Sequence, residues 1–159
     1  MNYLKTLSTL FFILLASQVH ARSFDSDEVF AFAGFINDLV KTAQTSKGGA
    51  FCVLGNDEIG KVILDLDKTT VDLETHPRKY DGCRAIYIAQ SKEKTLRNEM
   101  TKFSKSKILT IAVFEDFTEL GGMVRVDMGR RNFELTVNSK GMKEAGIKLN
   151  SLAMSLIVN

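Results

Sequence analysis

Three short apolar runs constrain this chain most: Ala50–Leu54 (AFCVL), Cys83–Ala89 (CRAIYIA) and Ile108–Phe114 (ILTIAVF). The first is continuous rather than alternating, the pattern of a strand buried on both faces, and the other two are largely apolar, broken by Arg84 and Thr110. Helical segments separate them. After the first run, Gly55-Asn56-Asp57 turns into a predicted helix over Glu58–Leu66. After the second, Ser91 is the expected cap of a charged helix over Lys92–Phe103, with Leu96 and Met100 inward. Buried strands joined by helices make a mainly parallel sheet the economical architecture. Thr69–Glu74 reads as a further, half-exposed strand, with Val71 and Leu73 as its apolar positions.

The pattern changes after Gly121-Gly122. Over Met123–Val137 apolar and polar residues alternate on both sides of a Gly129-Arg130-Arg131-Asn132 turn. Val124, Val126 and Met128 face Phe133, Leu135 and Val137, so an antiparallel hairpin is expected beside the parallel sheet. Asn138 or Ser139 would cap a short helical turn that Ala145-Gly146 ends, with Ile147–Leu149 extended and Ser151–Val158 a last apolar helix. The predicted class is α/β: one compact domain, a mainly parallel central sheet flanked by helices, and a C-terminal antiparallel hairpin.

Upstream of the first strand, Ser26 or Asp27 can cap an amphipathic helix that runs to about Thr45. Its aromatics, Phe30, Phe32 and Phe35, cover more than one face. One reading packs them all under the sheet. The other leaves part of that face to a protein partner, since aromatics are favoured at interfaces. The Gly121-Gly122 approach to the hairpin is a second candidate partner surface, with packing again the alternative.

Residues 1–21 read as an export signal and 22–159 as the mature domain. Lys5 supplies a positive start, Leu7–Ala16 (LSTLFFILLA) an apolar stretch, and Val19-His20-Ala21 small residues at the cleavage positions. The stretch is shorter than the roughly 20 residues of a spanning helix. Loss of Lys5 takes the formal charge from +2 to +1, which speaks against a nucleic-acid partner. The product is expected to be soluble outside the cytoplasm.

Cys52 and Cys83 are the two cysteines. In an oxidising compartment an even pair favours a disulfide. Two buried thiols on neighbouring strands are the alternative, because sequence does not give the Cα separation.

Catalytic and cofactor chemistry find little support. His76 is the one histidine beyond the signal and lies beside Pro77 in a polar loop. A nucleophile triad would have only that residue as its base. Glu115, Asp116 and Glu119 form the one acidic group that resembles a metal or general-acid cluster, and residues of this kind more often start a helix. Gly55 and Gly60 lack the spacing of a dinucleotide fingerprint. No cofactor and no metal are expected. The strand ends at Gly55-Asn56-Asp57, Gln90-Ser91 and Glu115-Asp116 leave one other reading open, a small-ligand-binding domain.

In order along the chain, F-C-V-L-G (Phe51–Gly55), C-R-A-I-Y-I (Cys83–Ile88), I-L-T-I (Ile108–Ile111), G-G-M-V (Gly121–Val124), V-N (Val137-Asn138) and A-G-I-K-L-N-S (Ala145–Ser151) resemble the YfiR-like family of small exported bacterial proteins. The resemblance spans about Asp27 to Ile157. It implies a periplasmic repressor of an inner-membrane diguanylate cyclase. The repressor would hold the cyclase's periplasmic sensor portion, and its release would raise cyclic di-GMP and favour biofilm. It also implies a compact sheet flanked by helices, a homodimer, and a bond between Cys52 and Cys83. The chain departs from the family pattern at Lys41–Thr45, where an aromatic-proline ending is common. It departs again at Thr136, which stands where a glutamate is common.

Overall fold

The computed structural model describes residues 23–158. The export-signal reading of residues 1–21 lies outside them.

Helix α1 spans Ser26–Thr42. Its cap is Asp25, one residue before the predicted candidates. Asp25 accepts from the Glu28 N–H, and the Glu28 side chain accepts from the Asp25 N–H, a reciprocal capping box. The helix ends at Thr42 rather than near Thr45, because Ala43 leaves helical geometry and Gln44 exchanges both backbone bonds with Lys148. Strand β1 (Ala50–Leu54) and helix α2 (Glu58–Leu66) lie where the sequence places them. Strand β2 is only Val71–Asp72, shorter than expected, because Asp72 turns the chain by accepting from the Glu74 and His76 N–H groups. Pro77–Gly82 forms a 3-10 turn and leads into β3 (Cys83–Ile88).

The next helix differs from expectation. Gln90–Thr95 is a 3-10 segment, and the α-helix α3 begins only at Leu96 and runs to Lys105. Strand β4 (Leu109–Ala112) follows. A 3-10 turn at Glu115–Phe117 then carries the chain to β5 (Val124–Met128) and β6 (Phe133–Val137). Helix α4 (Ser139–Ala145) is capped by Asn138, whose Oδ1 accepts from the Gly141 N–H. Gly146 ends it at φ +70°, the left-handed conformation glycine adopts without strain. The last helix, α5, is shorter than predicted, Ser151–Met154, because Leu156 and Val158 bond to Leu135 instead.

The six strands form one sheet in the order β2-β1-β3-β4-β5-β6, parallel except for the β5–β6 hairpin. The hairpin register pairs Val124 with Val137, Val126 with Leu135 and Met128 with Phe133, the apolar match read from the alternation. Each face of the sheet carries its own core. Phe51, Val53, Ala85, Tyr87, Leu109 and Ile111 pack under α1, α2 and the C-terminal elements. Cys52, Ile86, Ile88 and Ile108 pack under α3. Burial on both faces is why the three strands read as largely apolar runs. Thr110 is the fully buried polar exception, and its hydroxyl accepts from the Met123 N–H at 3.0 Å.

Cys52 and Cys83 are bonded, with Cα atoms 5.9 Å apart and both side chains fully buried. The pairing depends on a register shift in which Ala50 opposes Cys83 but Phe51 opposes Ala85. Arg84 is the extra residue, and its guanidinium turns to the Val40 carbonyl of α1 at 3.0 Å. The bulge puts Cys83 on the same face as Ile86, the face that carries Cys52.

Candidate functional site

The first-helix aromatics separate into different environments. Phe30 is 61% exposed, whereas Phe32 is 1% exposed and meets the rings of Phe24 and Phe133 edge-on. Phe35 is half-buried and stacks on Phe133 at 4.3 Å. Of the three, Phe30 is the side chain a partner could reach, and Phe32 belongs to the core.

Gly121 and Gly122 also divide. Gly122 is buried and lies so close to the Phe117 ring that a Cβ there would overlap it. Gly121, at φ +100°, lies against Met100 in a trough between α3 and α4. Arg97, Lys105 and Lys140 stand around that trough. Phe30 and Gly121 do not share one site: α1 covers one face of the sheet and α3 the other.

A feature the sequence reading did not single out lies at the C-terminal side. Helices α4 and α5 and the extended Ile147–Leu149 segment enclose an apolar groove of about 420 Å³. Its walls include Val137, Met142, Ile147, Leu149, Met154 and Ile157. Met154 is 54% exposed, Leu152 is 70% exposed, and Val158 is also exposed. Lys143 and Lys148 stand at the rim, exposed and without an ion pair among the described residues. The sequence signal was the excess of apolar residues in Ser151–Val158. A four-residue helix cannot bury Leu152, Ala153 and Met154 on one stripe.

The carboxyl ends of β1, β3 and β4 frame a second recess, of about 210 Å³, beside Phe24, Asp57, Gln90 and Val113. The strand order reverses there, between β1 and β3, where parallel sheets usually hold ligands. Asp57 already occupies the α2 N-terminus. Its Oδ1 accepts from the Gly60 N–H at 2.7 Å, and its Oδ2 from the Tyr87 hydroxyl at 2.9 Å and the Gln90 N–H at 3.3 Å. An outside anion would have to displace that carboxylate. Burial, and then the Asp57 charge, push the Tyr87 phenol well above its ordinary pKa.

Glu115, Asp116 and Glu119 are all exposed in and after the 3-10 turn. No group of three or more potential metal ligands comes together among the described residues. His76 is exposed, with Nδ1 2.8 Å from the Thr75 hydroxyl. Among the described residues, no helix is long and apolar enough to cross a membrane.

No curated protein matches the chain. A conserved domain protein from Vibrio cholerae O1 biovar El Tor strain N16961 has a similar crystal structure, with a TM-score of 0.59 at 8% identity. The match covers 82% of this chain and 59% of that one, so this chain spans little more than half of the relative's length. At that identity the likeness speaks to the fold alone. The YfiR/HmsC-like family matches residues 24–156, nearly all of the domain beyond the predicted export signal. With that match, and an α/β sheet that carries the expected cysteine bond, the chain belongs to the YfiR/HmsC-like family.

Proposed function

We propose that this chain is an exported regulatory protein, not an enzyme. In the periplasm it binds a membrane-bound signalling partner and represses it. The partner is a diguanylate cyclase of the inner membrane, held through its periplasmic sensor portion. Release of the cyclase raises cyclic di-GMP and favours biofilm, and the regulator acts as a homodimer. Family membership over residues 24–156 carries this reading. The signal-like residues 1–21 and a fully buried disulfide fit the oxidising space outside the inner membrane. As a regulator, the protein shifts its partner only by its preference for one of the partner's conformations.

Two apolar surfaces are available for such a contact: Phe30 on α1, and the α4–α5 groove with Met154 at its edge. The lysines at the groove rim favour a partner segment that carries apolar side chains flanked by acids. Affinity capture from detergent-solubilised envelopes tests both surfaces. The wild-type protein should retain a membrane protein with a diguanylate cyclase domain, and Phe30→Asp or Met154→Asp should lose it. Capture of no cyclase by the wild type would remove the reading.

A second reading, a small-ligand-binding domain, draws on the recess beside Phe24, Asp57, Gln90 and Val113. A metabolite that raised the melting temperature of the wild type, but not of Gln90→Trp, would favour it.

A further inference from the structure

A small cavity on the α3 side of the sheet is used by none of the surfaces above. It measures about 180 Å³ and lies between the end of β1, the loop after β2 and helix α3. Leu54, Leu73 and Pro77 line it, together with Tyr80, Phe103 and Glu99. Glu99 and Phe103 are four residues apart on α3 and so share one face of the helix. The Tyr80 and Phe103 rings meet edge to face, with centroids 6.2 Å apart.

The Glu99 carboxylate is the anomaly. Its Oε2 is buried, and among the described residues no hydrogen bond reaches it. A buried carboxylate oxygen without a donor is unfavourable, so native proteins rarely leave one. A carboxylate only accepts, so the missing group is a donor, and a charged donor offsets the burial best. Apart from Lys102, the rest of the wall among the described residues is apolar or aromatic. Aromatic faces attract cations, and an apolar wall suits an alkyl stem rather than a water cluster. The cavity is similar in size to the apolar cavity of about 150 Å³ that admits benzene. Only one Glu99 oxygen is both buried and unpartnered. That favours a point-charge ammonium over a guanidinium, which pairs with two oxygens at once. Lys102 also lines the cavity, but it is exposed and makes no ion pair with Glu99.

We propose that this cavity binds an alkylammonium group, with Glu99 as its counter-ion and Tyr80 and Phe103 as its aromatic wall. The group belongs either to a free amine or to a lysine side chain of a partner protein.

Titration of the purified protein with butylammonium chloride at constant ionic strength, followed through the ring resonances of Tyr80 and Phe103, tests the site. The expected result is a saturable shift in the millimolar range or tighter, with n-butanol at least tenfold weaker. Glu99→Gln should melt like the wild type and lose at least tenfold in affinity. Lys102→Gln should bind at least as tightly as the wild type. A blocked Ala-Lys-Ala peptide separates the sources. Tighter binding of the peptide makes a partner lysine the occupant, tighter binding of butylammonium a free amine, and either supports the site. Absence of a saturable shift, equal binding of butylammonium and butanol, or lost binding in Lys102→Gln would overturn the proposal.

Discussion

Asp57 caps α2, receives the Tyr87 hydroxyl and receives the Gln90 N–H, so one carboxylate ties a helix start to two points around β3. This geometry has a consequence at high pH. The folded state holds the Tyr87 proton more tightly than the unfolded chain does. Below about pH 10 both states keep the proton, and the contribution to stability is constant. Above that value the unfolded chain ionises first, so stability falls as pH rises. Tyr87→Phe should therefore lose less stability than the wild type between about pH 10 and 11.5, read from urea midpoints. Equal slopes would contradict the Asp57–Tyr87 account. The aromatic pair on α1 makes the complementary point. Phe32→Ala should cost about 3–5 kcal/mol as a core truncation, and Phe30→Asp no more than about 0.5 kcal/mol as a surface change. Helical spacing placed both residues on a broad apolar stripe. It could not tell which ring α1 turns toward Phe133, because that depends on how the helix is rotated over the sheet.

The elements that were easiest to read are those whose pattern arises from burial on two faces. Strands β1, β3 and β4, and both hairpin strands, lie within about two residues of their expected limits. Elements that depend on local chain competition were less legible. The charged Gln90–Thr95 stretch has no apolar stripe to hold an α-helix, so 3-10 geometry persists until Leu96 enters the core. The C-terminal groove is hard to read for a related reason, since α5 stops after one turn and leaves Leu152 and Met154 exposed. The chain beyond α5 instead covers the outer edge of β6. The Leu135 N–H donates to the Leu156 carbonyl at 2.8 Å, and the Val158 N–H donates to the Leu135 carbonyl at 2.9 Å. Removal of residues 156–159 should leave that edge open. The Leu135 amide should then exchange with deuterium at least tenfold faster, while the amides of β3 keep their protection. The disulfide acts between elements in the same sense, closing a separation of 31 residues across β1 and β3. Cys52→Ala with Cys83→Ala should cost about 3–4 kcal/mol in the chain-entropy account, measured by denaturant unfolding. A change near zero would mean that the surrounding core alone holds the two strands together.

For the molecule as a whole, the parallel sheet with its antiparallel end and flanking helices follows from the order of apolar runs and helical segments. Function is less legible, because a binding surface, unlike a set of reacting groups, leaves no short motif in a sequence. The acids of the 3-10 turn stand exposed, and the Asp57 carboxylate already accepts from Gly60, Tyr87 and Gln90. What stands out is surface: Phe30, the basic trough at Gly121, and the apolar groove between α4 and α5. These suit a regulator that docks on another protein, and family membership points the same way. The most direct test is the cellular level of cyclic di-GMP in the source organism after deletion of the gene, with and without return of the wild-type or Met154→Asp chain. Deletion should raise the level several-fold, the wild type should restore it, and Met154→Asp, exported in equal amount, should not. A level unchanged by deletion would contradict the proposed repression of a diguanylate cyclase.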